Sequence, residues 1–284
     1  MKTAVTIAGA NAKDSAFVVW RGFRESIKKA AEYGYDGVEL ALKGADELEA
    51  GDLSRWLKEF HMEVSCITTG QVFADRGLYF THPDREMRRR TIEVFFDLID
   101  LAGEFGGIVN AGRSRGFVGP DQTREETEKL FVDTMQILCD KAAARQVNLL
   151  IEPVNRYELN FVNNLNEGAA ILEKVGRGNC GIHADVFHMN IEDDRIGESL
   201  VRNGRWVRYI HFADSNRLAP GLGHLDFHEV MGALKSIRYD SWVSMEILPG
   251  GDPDQMARQA IDYIRPLVTK YNREMGEGIS NEYR

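Results

Sequence analysis

Ile151-Glu-Pro-Val-Asn-Arg-Tyr-Glu158 carries an apolar run straight into a carboxylate and a proline. It closes an apolar run, Val147 and Leu149 to Ile151, that reads as a short buried strand. The strand ends on a carboxylate, Glu152, and then on Pro153, which has no N–H to give a neighbouring strand and so stops the ladder. Glu152 is left at the strand mouth, where it either braces a loop or does chemistry.

Outward from this point the same unit recurs. Short apolar runs at 4–8, 37–41, 63–67, 107–110, 147–151, 180–184, 207–212 and 242–247 read as strands. Helical patterns at about 22–33, 53–60, 83–105, 124–145, 166–175, 196–203, 226–237 and 254–271 separate them. The strands do not alternate apolar and polar residues, as expected of parallel strands buried on both faces. Eight strand–helix units without a linker or low-complexity tract predict one α/β domain, a single (β/α)8 TIM barrel over residues 1–284, with about 272–284 as a C-terminal tail. A doubly wound open sheet is the rival. No G-x-G-x-x-G follows the first strand, and Gly221-Leu-Gly223 lies after the seventh, so the dinucleotide fingerprint is missing where that fold needs it.

The totals fit this architecture. Hydrophobic residues at 43% fill a core and charged residues at 28% cover it. With 35 basic against 44 acidic residues the net charge is −9, which argues against nucleic acid as the partner but leaves room for a small phosphorylated ligand. No apolar run reaches the ~20 residues of a membrane span, and the amino terminus runs into a strand without a signal-peptide pattern. Cys66, Cys139 and Cys180 form no C-x-x-C and read as small core residues. A cytoplasmic location is expected.

Chemistry in such a barrel sits at the C-terminal ends of the strands. Strand five ends on Glu152, strand six carries Asp185 with His188 three residues on, strand seven carries His211 and then Asp214, and strand eight ends in Ser244-Met-Glu246. Each residue alone has an ordinary structural explanation. Together, three carboxylates at one mouth repel and are costly to desolvate unless a cation joins them. A divalent metal supplies that cation, with His211 as its nitrogen ligand.

These runs, with His183-Ala-Asp-Val-Phe-His188-Met-Asn190 and His211-Phe-Ala-Asp214, resemble the xylose-isomerase-like TIM-barrel superfamily, and within it the D-tagatose 3-epimerase and D-psicose (allulose) 3-epimerase family. The resemblance implies a metal, Mn2+ with Co2+, Mg2+ or Zn2+ as alternatives, held by Glu152, Asp185, His211 and Glu246. It implies substrate contacts from Glu158, His188 and Arg217, and a soluble homo-oligomer, dimer or tetramer, acting on a keto-sugar or sugar phosphate. The first-half loops Thr68-Thr-Gly-Gln71 and Asn110-Ala-Gly-Arg113-Ser-Arg-Gly116 depart from the sugar epimerases.

The residues themselves allow the same chemistry. A metal polarising a carbonyl acidifies the neighbouring C–H, and strands five and eight are three positions apart on an eight-strand ring, so Glu152 and Glu246 can serve opposite faces of a substrate. Two bases on opposite faces suit epimerisation at the carbon beside the carbonyl, C3 of a ketose. Arg113 and Arg115 bracket Ser114 and either hold a substrate phosphate or carboxylate or form a solvated loop. Glu39 binds substrate from across the mouth or braces the barrel, and Trp20 walls the pocket or fills core. Another carbohydrate isomerase, keto-glycoside epimerase or dehydratase shares this metal site. An endonuclease IV-type repair enzyme is disfavoured because the mouths of strands three and four, Thr68-Thr69 and Asn110-Ala111, hold no histidine. A non-enzymatic metal-binding protein needs no second base.

Overall fold

The computed structural model describes residues 1–13 and 17–282. Eight parallel strands form its centre: β1 (Lys2–Ala8), β2 (Gly37–Ala41), β3 (Glu63–Thr68), β4 (Ile108–Ala111), β5 (Asn148–Ile151), β6 (Cys180–Asp185), β7 (Val207–Phe212) and β8 (Trp242–Met245). Each pairs with the next, and β8 returns to β1 through Lys2↔Trp242 to Val5↔Met245, so the sheet closes into a barrel. The open doubly wound alternative is thereby excluded. Trp20 and Arg21 add a two-residue pairing beside the end of β1.

The strands are short and almost wholly buried because helices cover one face and barrel-filling side chains the other. The helices are α1 (Phe23–Tyr33), α2 (Ala50–Phe60), α3 (Gly70–Arg76), α4 (Arg85–Glu104), α5 (Arg124–Ala143), α6 (Leu165–Val175), α7 (Val186–Glu192), α8 (Ile196–Arg202), α9 (Phe227–Ser236) and α10 (Pro253–Glu282). Local chemistry marks their starts. Asp84, Asn164 and Asp226 accept the first free N–H groups, and Thr123 with Glu126 forms a capping box. Among the described residues no helix is long and apolar enough to cross a membrane.

Two short helices, α3 and α7, fall where the sequence pattern predicts only loops. Each has seven residues, too few for a hydrophobic period to register. At the other end, α10 runs well past the expected stop at Tyr271. Asn272 exchanges hydrogen bonds with the backbone ends of Met1, and Glu274 meets Lys235 at 2.8 Å, so polar contacts extend the helix where apolar periodicity has stopped. Of the segment expected as a tail, Tyr283 and Arg284 lie outside the described residues. Trp20 is core: it is buried and its indole N–H donates to Asp254. All three cysteines are free and buried.

Candidate metal centre and active site

The barrel register assembles the site. Asp185 pairs with His211 across β6 and β7, and His211 with Ser244 across β7 and β8, so these strands present their last side chains side by side. Glu152 and Glu246 each stand one residue beyond a strand end. One ligand-type atom from each of Glu152, Asp185, His211 and Glu246 lies within 4.8 Å of the others. His211 Nδ1 is 3.4 Å from Glu152 Oε1, 3.4 Å from Asp185 Oδ2 and 3.5 Å from Glu246 Oε2.

Each of these side chains is aimed by something behind it. Glu152 Oε2 accepts from Asn110 Nδ2 at 3.0 Å, which leaves Oε1 for the cluster. A Cβ on Gly112 would come within 2.8 Å of the same Oε2, so the backbone approaches as closely as only glycine allows. Asp185 divides its oxygens: Oδ1 caps α7 by accepting from Phe187 N at 2.8 Å, and Oδ2 faces the site. His211 Nε2 lies 2.9 Å from both oxygens of Glu39, which reaches across from β2. Irregularities in register fall at Val38/Glu39 and Ile182/His183, next to Glu39 and two residues before Asp185.

The donor set fits a divalent cation. Glu152 Oε1 and His211 Nδ1 are buried without a hydrogen-bond partner, and they converge on the same point as the Asp185 and Glu246 oxygens. A pair of orphaned buried polar atoms is costly and calls for a partner. Burial raises the proton affinity of Glu152, but the nearby histidines outweigh it and hold the carboxyl well below its ordinary range. For His211, burial favours the neutral ring, yet Glu39, Asp185 and Glu152 raise its proton affinity well above the usual imidazole value. What attracts a proton there also attracts a metal ion. Three carboxylates and one imidazole, with a carboxylate behind the imidazole, form an arrangement in which the outer group fixes ring orientation and ligand basicity.

The cavity over this cluster is lined by Glu152, Glu246, Glu158, His188 and Arg113, together with Phe17, Thr68, Gln71, Asn110 and Val154. His188 Nδ1 accepts from Asn155, 2.8 Å from its side-chain Nδ2, and the same amide nitrogen reaches Glu158 Oε1 at 3.3 Å. Because Asn155 Oδ1 is committed to Tyr157 N, the amide orientation is fixed and the His188 proton belongs on Nε2. Burial also lowers the proton affinity of His188, so a neutral ring offers one N–H donor.

Two arginines sit differently from expectation. Arg115 is fully buried, and its guanidinium donates to the carbonyls of Gly112, Phe161 and Val162. It therefore neither joins Arg113 at a substrate anion nor lies in a solvated loop. Arg217, expected to clamp substrate, is buried with Nη1 2.6 Å from Asp185 Oδ2 and Nη2 bonded to Glu246 Oε2. Its guanidinium lies over the rings of both Phe17 and Phe187, 4.8 Å from each centroid. Sequence reasoning missed Asn110, Asn155 and His183. His183 lies two residues before Asp185 on β6, hence on the same face, with its ring centroid 3.8 Å from that of His211. Strand alternation alone could have found it.

Comparison with known proteins agrees with this architecture. Residues 27–267 match the family described as xylose isomerase-like TIM barrel. The chain belongs to this family. Among the relatives of this xylose isomerase-like barrel is the L-ribulose 3-epimerase of Methylomonas sp., 31% identical over 79% of this chain and 78% of its own. Another is the 3-dehydro-D-guloside 4-epimerase of Escherichia coli, 30% identical over 85% of this chain and 93% of its own. The crystal structure of a Methylomonas D-allulose 3-epimerase in complex with D-allulose superposes with a TM-score of 0.80 at 25% identity, covering 94% of this chain and 96% of that one. The expected fold and family are both established by these matches.

Proposed function

We propose that this chain is a divalent-metal-dependent sugar epimerase that inverts a carbon next to the carbonyl of a ketose or related keto-sugar. The observation that carries the reading is the presence of two glutamates from different strands, Glu152 and Glu246, in one ligand cluster and one cavity. Relatives that epimerise sugars support it. The mouths of β3 and β4, which bring Thr68 and Asn110 to the cavity rather than histidines, favour it over a multi-metal nuclease.

Glu152, Asp185, His211 and Glu246 would hold the ion, for which we take Mn2+ first and Co2+, Mg2+ or Zn2+ as alternatives. A divalent cation bound there supplies Lewis-acid stabilisation of the negative charge that grows on a substrate carbonyl oxygen. Glu152 removes the proton from the adjacent carbon, giving an enediolate, and Glu246 returns a proton to the opposite face, which inverts the centre. His188 donates its Nε2–H to a substrate oxygen and Glu158 accepts from a hydroxyl. Arg217, held among the reacting carboxylates, adds positive charge where the enediolate needs it.

A ketose 3-epimerase is the first reading. A keto-glycoside 4-epimerase is the second, favoured by one observation: the Escherichia coli 4-epimerase aligns over 93% of its length, against 78% for the ribulose epimerase. In both, the inverted carbon lies beside a carbonyl. NMR in D2O with Mn2+ on ketoses, ketose phosphates and 3-keto-glycosides tests both readings. Deuterium should enter at the carbon next to the carbonyl as the epimer appears. Absence of exchange with every member of the panel would overturn the proposal.

A further inference from the structure

We infer that a groove beside the catalytic cavity is a stacking subsite for a second ring, one joined glycosidically to the keto-sugar. This rests on the keto-sugar epimerase reading and narrows its substrate class to glycosides with a ring-bearing aglycone. The groove has a volume of about 320 Å3 and is walled by Phe73, Phe117, Tyr157 and Leu159. Glu158 lines both it and the catalytic cavity, so the two lie side by side. Arg113 bridges them as well, lining the cavity while its guanidinium lies 5.9 Å from the Phe73 ring centroid.

The walls are built in advance. Tyr79 stacks behind Phe117 with ring centroids 4.9 Å apart and 29° between planes. Thr81 Oγ1 donates to Phe117 O and accepts from Phe117 N, which pins that residue. Asn160 exchanges two hydrogen bonds with the backbone of Val118 and so ties the loop after β4 to the loop after β5. Onto this rigid base Tyr157 projects an aromatic ring that is 82% exposed.

The chemistry suits a ring with apolar faces and polar edges. Arg156, a cation at the rim, is paired bidentately with Glu192 at 2.9 and 2.8 Å. Aromatic faces flanked by amide and carboxylate groups match a pyranose or aryl ring, whose C–H or π face stacks while its hydroxyls reach the rim. A free ketose, once seated over Glu152 and Glu246, has no second ring to place there.

The test compares Tyr157→Ala and Phe117→Ala with the wild type, all loaded with Mn2+, on a 3-keto-disaccharide, on the methyl 3-keto-glycoside and on a free ketose. Loss of a stacking partner should raise KM for the keto-disaccharide by about 10-fold. The methyl glycoside and the ketose should be turned over as by the wild type, and Tyr157→Phe should restore KM. Equal effects on all three substrates, or none on the disaccharide, overturn the subsite while leaving the epimerase reading intact. So does a change of oligomeric state in Tyr157→Ala by sedimentation, which would assign the groove to contact between copies. Should no substrate turn over, the epimerase reading fails by itself. Saturation-transfer NMR with the parent disaccharide then decides the subsite: transfer to the aglycone ring that disappears in Tyr157→Ala supports it, and no transfer in the wild type overturns it.

Discussion

Glu39 and His211 meet across the barrel interior, with both Glu39 oxygens 2.9 Å from Nε2, although 172 residues separate them in sequence. The contact decides which nitrogen of His211 faces the other ligands. Burial opposes the charge on Glu39, but His211 outweighs it and keeps the carboxyl below its ordinary range. The role left open by sequence, bracing or substrate contact, is met here by a buried brace on His211. Glu39→Gln keeps the shape and removes the charge. Metal affinity should fall by roughly 10–100-fold, the range for loss of a group behind a histidine ligand. Titration calorimetry with Mn2+ checks this, and unchanged affinity would detach Glu39 from the metal site.

Glu152→Gln separates ligation from proton transfer. The amide retains an oxygen that can ligate, and Asn110 remains beside it, but it cannot take a proton from carbon. Metal content should persist while turnover falls by roughly 10²–10⁴, as for a lost general base. Glu246→Gln should do the same. If the two serve opposite faces, each variant exchanges the proton of one epimer with D2O without inverting it. Wild-type epimerisation by metal-loaded Glu152→Gln would leave this carboxylate only a ligand.

The fold and the clustering of Glu152, Asp185, His211 and Glu246 were legible because both rest on local features that repeat: short non-alternating strands, and a chemically distinctive residue at each mouth in the second half. Pro153 after Glu152 is visible in one dimension. The remaining site residues depend on side-chain direction. Arg113 and Arg115 look equivalent in sequence, yet the turn at 113–115 sends one to the cavity and the other inward to three carbonyls. Arg217 has a left-handed backbone, φ 62°, that no pattern of neighbours signals, and it turns the guanidinium back onto Asp185 and Glu246. Asn110 and Asn155 act through side-chain hydrogen bonds to residues distant in sequence, Glu152 and His188, which periodicity cannot encode.

The two loop arginines should therefore behave differently. Burial lowers the proton affinity of Arg115 to about 10, still high enough to keep it charged at neutral pH among its carbonyl acceptors. Arg115→Ala leaves three carbonyls and a cavity unfilled and should cost roughly 3 kcal/mol in stability. Arg115→Lys should recover little, since one ammonium cannot span the same acceptors. Arg113→Ala should leave stability within about 0.5 kcal/mol and raise KM only for an anionic substrate. Urea denaturation of the three variants, with kinetics on a ketose and its phosphate, checks the contrast. Equal stability of Arg113→Ala and Arg115→Ala would contradict it.

The loop beyond β7 carries its own pH signature. Asp214 is buried and accepts from the backbone N–H groups of Ser215 at 2.7 Å, Gly221 at 2.8 Å and Leu225 at 3.1 Å, organising the chain up to α9. Burial alone would raise its proton affinity, but the backbone donors outweigh it and hold the carboxyl below the ordinary aspartate range. Its folded-state value is thus lower than its unfolded value, about 3.9. The unfolded chain binds the proton first on acidification, so this contribution to stability is complete above about pH 4 and is lost as pH falls through the folded-state value. Asp214→Asn keeps one side-chain acceptor but has no carboxylate to titrate. It should be less stable than the wild type at pH 7, and the gap should narrow as pH is lowered below about 4. Urea unfolding of both proteins from pH 7 to pH 3 measures that gap directly. A gap that stays constant over the range would show that Asp214 does not owe its place to the charge that its three backbone donors stabilise.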